Sequence, residues 1–434
     1  MYLYRSAVGD AMYRCVSLLA LCLATCSGCG GGGGGGNEEV IVLGDRGPRD
    51  DYYSIDVADM NGDGFLDLVA AGFTIINDDD RSWYVSVFRQ DAMSPGSFLE
   101  PQNFTYGPFE VSPTEIEVAD LQGDGLPDAV ASSFSELGFR TMLHDTLSLG
   151  GLMPSVHYGP TGDHFGWPKL AAADMDGDLI PDVLTTGPDD LILYRQSAAN
   201  RGTFLNGITL GVGSNNLAVA DIDGDGLNDV LTFDDDNEHE VPDHLIYYRQ
   251  NSNVPGQFLV PQRFFLDFSG GAVAVADVDA DTRPDLIVSG FDVPEIGVYH
   301  GRLRIYRQLA PDNFQTSQDE ITTSNLFSDR IAVSDLDGDG TPEIILGNRT
   351  HANDPNTVEV FAQDASNTYY SDQLLVIPDD RAITVPELFS VRVADLNDDG
   401  LPDIAVSTHE IFIFFARAGQ PGTYDSATQI TVQR

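Results

Sequence analysis

Leu217-Ala218-Val219-Ala220-Asp221-Ile222-Asp223-Gly224-Asp225-Gly226-Leu227-Asn228-Asp229-Val230-Leu231 sets an acidic, glycine-rich turn between two apolar runs. The run before the turn alternates with period two, as a half-buried strand does, and a second apolar run follows directly. The same grammar recurs along the chain. Its acidic stretches begin at Asp59, Asp120, Asp174, Asp221, Asp277, Asp335 and Asp395, between 47 and 61 residues apart. That interval holds four short strands with their loops, the content of one propeller blade.

The strands beyond the turn follow a pattern too. A third strand often ends in Arg-Gln, as in Val85 to Gln90, Leu191 to Gln196, Leu245 to Gln250 and Leu303 to Gln308. A Gly-x-Phe turn is then expected to lead into a fourth strand, as at Gly96, Gly202 and Gly256. A small alanine before most first aspartates suits a crowded inner strand near the axis. No segment sustains helical periodicity. The fold class expected is all-β, a seven-bladed β-propeller over residues 39–434; two smaller β domains are the alternative, though no linker interrupts the series. Glu39 to Leu43 could close the ring beside Thr428 to Val432, or either end could hang as an extra edge strand.

The nine-residue loop D-x-[DN]-x-D-G-x-x-D offers oxygens at positions 1, 3, 5 and 9, with a backbone carbonyl expected at 7. Calcium takes six to eight hard oxygen ligands, and carboxylates at alternate positions of a tight loop supply them. Glycine at position 6 permits the positive φ that folds the chain around an ion. Without a cation, three or four carboxylates would crowd and repel. An EF-hand needs a glutamate at position 12, where this chain has Ala70, Ala131, Thr232 or Leu346. Magnesium, with its stricter octahedron and retained waters, suits such a loop less well.

This arrangement resembles the FG-GAP/VCBS repeat family, including the calcium-binding blades of integrin α-subunit propellers. The resemblance covers about residues 50 to 434 and implies up to seven calcium ions, one in the loop joining the first two strands of each blade. Carried over by position, the ligands are Asp59, Asn61, Asp63 and Asp67 in loop one. Loop four uses Asp221, Asp223, Asp225 and Asp229; loop six uses Asp335, Asp337, Asp339 and Glu343; loop seven uses Asp395, Asn397, Asp399 and Asp403. These four are the strongest expected sites. In loop two, Gln122 replaces the position-3 acid beside Asp120, Asp124 and Asp128, which weakens it. Loop three (Asp174, Asp176, Asp178, Asp182) has Leu179 in place of glycine, and loop five (Asp277, Asp279, Asp281, Asp285) has Thr282; both imply backbone strain.

The chain has 434 residues and a formal net charge of −46, from 68 acidic and 22 basic residues. Lys169 is its one lysine. So acidic a surface repels phosphate backbones and excludes a nucleic-acid partner. All four cysteines (Cys15, Cys22, Cys26, Cys29) lie at the N-terminus, so the remainder must be braced without disulfides. Arg14 precedes the apolar run Val16 to Ala24, too short to span a bilayer and fitting a secretory signal over residues 1–29. Cys26-Ser27-Gly28-Cys29 resembles the bacterial lipoprotein cleavage site, with Cys29 the lipidated residue and Cys26 where leucine is usual. A second register would cut before Cys26. Residues 30–38, with the run Gly30 to Gly36, form a flexible tether. Met12 begins a more typical signal than Met1 does. The expected location is the outer membrane or cell surface of a bacterium, held by a lipid anchor.

Function is less legible. Loops between second and third strands lie on the face opposite the acidic turns, and several are acidic: Asp78 to Asp80, Asp234 to Asp243, and Asp292 with Glu295. They offer a solvated surface or a recognition rim. The expectation is a binding or adhesion module for a protein or carbohydrate; an enzyme (lyase or hydrolase) and a purely structural surface protein are the alternatives. The eight histidines fall in no metal-ligand spacing, no Gly-x-Ser-x-Gly elbow occurs, and His239 with His244 is the one suggestive cluster.

Overall fold

A computed structural model describes residues 49–77, 80–107, 111–160, 167–187, 190–213, 216–234, 244–295, 298–314, 319–323, 327–349, 356–378 and 390–430. The expected signal, Cys29, the tether and Glu39 to Leu43 lie outside these residues. Every regular element described is a strand. The strands form seven four-stranded antiparallel sheets, one from each sequence repeat. In blade one they are Arg49–Ala58, Asp67–Asn77, Asp80–Phe88 and Gln102–Thr105. The innermost strands of the others are Pro113–Ala119, Leu170–Ala173, Leu217–Ala220, Ser269–Ala276, Phe327–Ser334 and Ser390–Ala394. The arrangement is a seven-bladed β-propeller.

The second strand explains the continuous apolar run after each turn. Its side chains alternate between two neighbouring blades, so both faces are buried. In Asp229–Asp234, Val230 packs toward blade three with Leu184 and Leu193, while Leu231 packs toward blade five with Val273 and Val288. Seven apolar clusters result among the described residues, one for each blade-to-blade interface. Ring closure needs nothing different: Ile55, Leu68 and Ala70 of blade one pack on Ala405, Ile411 and Ile413 of blade seven. Thr428–Ile430 is the fourth strand of blade seven, paired to Ile411–Phe414.

The Gly-x-Phe turn proves to be a separate small hairpin. Gln90 pairs with Phe98, Gln196 with Phe204 and Gln250 with Phe258, each as an isolated bridge. The fourth strand starts later, at Gln102 and Gln262 in blades one and four. Pro101 and Pro261, which lack the N–H a ladder needs, separate hairpin from strand there.

Near the axis, polar side chains join one inner strand to the next. Asp56 accepts from Val118 N at 2.8 Å and from Arg392 Nε at 2.9 Å. Glu115, buried, pairs with Lys169 and accepts from Ser54 Oγ at 3.3 Å. Burial works to raise Glu115, but Lys169, Arg330 and Arg392 outweigh it and hold it below the usual range. The single lysine thus serves a buried ion pair at the centre.

Candidate metal centres

Each acidic turn joins the first strand of a blade to the second, as the repeat implies. The residue before the turn pairs directly with position 9: Ala58 with Asp67, Ala220 with Asp229, Ser334 with Glu343. All seven turns therefore share one frame.

Backbone amides orient the carboxylates. In loop four, Asp221 Oδ1 accepts from Gly224 N (2.9 Å) and Asp225 N (3.0 Å), and Oδ2 from Gly226 N (2.9 Å). Asp223 Oδ1 accepts from Asp225 N, and Asp225 Oδ1 from Leu227 N. The bond from the position-6 amide to the first aspartate recurs in every loop. It requires the chain to curl back with positive φ. Gly64 has φ 92°, but Leu179 and Thr282 adopt 65° and 71°, which is the strain expected of loops three and five. Position 4 shares the requirement, unread from sequence: Gly224 has φ 77°, Ala280 60° and Asp398 58°.

Position 9 is a buried clamp. Asp67 Oδ2 accepts from Met60 N (3.0 Å) and its Oδ1 from Gln90 N (2.8 Å), so one carboxylate ties the turn to the end of the third strand. Asp128, Asp182, Asp229, Asp285 and Asp403 repeat both bonds. In loop six, Glu343 accepts from Leu336 N at 2.7 Å. Burial is the main force raising these acids, with neighbouring carboxylates adding to it: Asp67 is pushed up to about 6, Asp182 and Glu343 to about 7. The backbone bonds only partly offset it. A divalent cation would reverse that balance.

The structure gathers three acidic oxygens within 4.8 Å in loops three (Asp174, Asp176, Asp182), four (Asp221, Asp223, Asp225), five (Asp277, Asp279, Asp285) and six (Asp335, Asp337, Asp339). These clusters could hold metal ions. Among the described residues no such acidic trio forms in loops one, two or seven. Loops one and seven place Asn61 and Asn397 at position 3, where each side-chain oxygen accepts from the position-5 amide. In loop two the Gln122 carbonyl oxygen is buried without a hydrogen-bond partner. The donor chemistry fits a hard cation: one oxygen of Asp176 and one of Asp279 are buried and take no hydrogen bond.

The Arg-Gln pair had no role legible in sequence. Gln90 donates to Leu66 O (2.8 Å) and accepts from Gly96 N (3.2 Å), fastening turn, strand and hairpin together. Gln196 and Gln250 do the same. The arginine lies beside position 3: Arg195 is 3.5 Å from Asp176, Arg307 is 3.2 Å from Asp279, and Arg249 pairs with Asp223. Each hairpin also touches the preceding blade's turn, Gly256 against Asp176 and Gly422 against Asp337. Gly96 closes the circle on Asn397 of loop seven.

A family model described as the FG-GAP-like repeat matches residues 59–131, 174–232 and 221–288, each match beginning at the first aspartate of a turn. The chain carries FG-GAP-like repeats. No curated protein sequence matches it. Among solved structures, a lectin of Agrocybe aegerita titled for recognition of non-reducing terminal N-acetylglucosamine is 18% identical with a TM-score of 0.51, covering 87% of this chain and 92% of that one. The Dos1 propeller is 12% identical with a TM-score of 0.50, covering 89% and 86%. A rhamnogalacturonan lyase of Bacillus licheniformis is 14% identical with a TM-score of 0.43, covering 83% and 70%. The likeness of the first two to this chain is one of fold.

Leu179 is 87% exposed, so its side chain gives little packing in return for the left-handed backbone. Leu179→Gly is expected to stabilise the protein by about 0.5–1 kcal/mol, because relief of strain exceeds the added freedom of the unfolded chain. Urea denaturation of the two proteins checks the sign.

Proposed function

We propose that this chain is a calcium-braced propeller, exported and lipid-anchored through Cys29, that acts as a surface binding module. The observation that carries the calcium reading is the convergence of three acidic oxygens in turns three, four and six, with a buried unpartnered oxygen on Asp176. Calcium would be held by Asp221, Asp223 and Asp225 in loop four and by their counterparts elsewhere, neutralising part of the −46 charge. It would hold in one place the turn, the third-strand end and, through position 3, the neighbouring hairpin.

The binding face proposed is the one opposite the turns. Both tryptophans of the chain meet there. Trp83 lies 4.6 Å (ring centroids) from Phe73, Tyr53 lies 5.4 Å from both Phe73 and Trp167, and Phe134 lies 5.5 Å from Trp167. Trp167 stays 43% exposed. An aromatic cluster with one open indole suits stacking against the apolar face of a pyranose, which favours a carbohydrate over a cationic partner. The acidic rim supports a cationic ligand poorly where it is described: Asp292 pairs with Arg302, and Asp234 with Arg263. Asp78, Asp79 and residues 235–243, including His239, lie outside the described residues; His244 packs edge-on against Phe265.

Calcium and pH should act in opposition on the melting temperature. The position-9 acids bind protons more tightly folded than unfolded, so chelated protein loses stability as pH rises from about 4 to 7. Calcium competes with those protons, so its benefit grows over the same window, reaching about 5 °C or more at pH 7.5 with excess ion. Superimposed curves with calcium and with chelator would refute the calcium reading. On a glycan array, Trp167→Ala should weaken binding about tenfold or more if the indole is a stacking anchor. Incorporation of labelled palmitate into the full chain, abolished by Cys29→Ala, tests the anchor; labelling that survives the substitution counts against it.

A further inference from the structure

We propose that the chain supplies its own cations to some of these turns: arginines fill loop five and partly neutralise loops three and four, leaving loop six as the tightest calcium site. This inference rests on the calcium reading and ranks the four turns whose acids converge by what already sits beside them.

Loop five is the clearest case. Arg307, at the end of the third strand, lies 3.2 Å from Asp279. Arg283, inside the loop at position 7, pairs with Asp281 and donates to Gln308 O at 2.8 Å. Two guanidinium groups carry the same +2 charge as one calcium ion. The oxygens that converge there belong to Asp277, Asp279 and Asp285, the same positions as in loop three, and one oxygen of Asp279 takes no hydrogen bond, so what the two arginines take from the site is charge. Loop five also lacks glycine at both left-handed positions, Ala280 and Thr282. Its curl is held by the first aspartate and two ion pairs.

Loops three and four carry one arginine each. Arg195 faces one oxygen of Asp176 and leaves the other buried and unpartnered, so that loop keeps a ligand while losing charge. Arg249 lies between Asp223 and Asp312, the latter from the hairpin of the next blade. Loop six differs at the end of the third strand, and like loop three it meets a glycine of the neighbouring hairpin. Its third strand ends in Ala362-Gln363, without the arginine, and the neighbouring hairpin offers Gly422, which has no side chain. Among the described residues no arginine pairs with Asp335, Asp337, Asp339 or Glu343. These four acids have no cationic partner among the described residues. A guanidinium a few ångströms from a divalent ion repels it, so each arginine should weaken calcium by about tenfold or more.

Calorimetric calcium titration of the chelator-stripped full chain tests this. Asp335→Asn should remove the tightest binding step. Arg283→Gln with Arg307→Gln should bind one calcium more than the parent, whereas Arg283→Lys with Arg307→Lys, which keeps both charges, should not. Crystals grown with limiting terbium give a second measurement that needs no variant: anomalous density is expected in loop six and not in loop five. Terbium density in loop five of the parent overturns the proposal, as does a glutamine variant with native circular dichroism and unchanged stoichiometry. In those outcomes the parent still binds calcium elsewhere. A parent that takes up neither calcium nor terbium overturns the calcium reading as well.

Discussion

A carboxylate taken out of water must find donors or lose its charge, and this propeller uses that constraint seven times. The acid at position 9 opens the second strand, is buried, and accepts backbone amides from two different segments. Removing it would orphan the amide that begins the turn and, in six blades, the amide that ends the third strand. The first strand, the turn and the hairpin all take their positions from it. Glu343 does the same work at the turn with a longer arm. A fold without disulfides in its ring thus has a polar pin at the corresponding place in every blade, on which the apolar interfaces between blades are aligned.

That pin shapes the electrostatics. Burial raises the pinned acids toward neutrality, while the first aspartate of each turn is held by several amides near solvent. One turn therefore contains carboxylates of different character, some buried and costly to ionise and some held by amides near solvent. Arginines adjust this further by sitting beside position 3, so turns that look alike in sequence differ in the charge they leave uncompensated.

The fold was legible because each repeat states it locally. Period-two strands, a turn that favours glycine, and an interval of about fifty residues leave few architectures for the chain to adopt. The candidate ligand positions were legible for the same reason, since alternate residues of a tight loop must share one side. The strain at Leu179 and Thr282 could be read from the missing glycine. What the sequence hid lies across strands. The pinning role of position 9, the use of Gln90 as a bracket, and the reach of Arg307 to Asp279 join segments whose contact depends on register. The acids converge in loops three to six, and loops one and seven carry asparagine, itself an oxygen donor, at the third position. Residues opposite the turns were harder still to interpret, because Tyr53, Phe134 and Trp167 come from three different blades or crossovers and share no motif.

The hairpin of each blade rests on the turn of the blade before it, and this contact has a direction. Gly96 of the first blade meets Asn397 of the seventh as Gly256 meets Asp176 within the ring. The joint that closes the circle is thus of the same kind as the joints inside it. Such a ring is a head-to-tail assembly with a single kind of interface, indifferent to which blade is counted first. Blades in a ring of this kind can be gained by duplication without inventing a new surface, and the particular chemistry of any one turn can drift while its neighbours keep the circle shut.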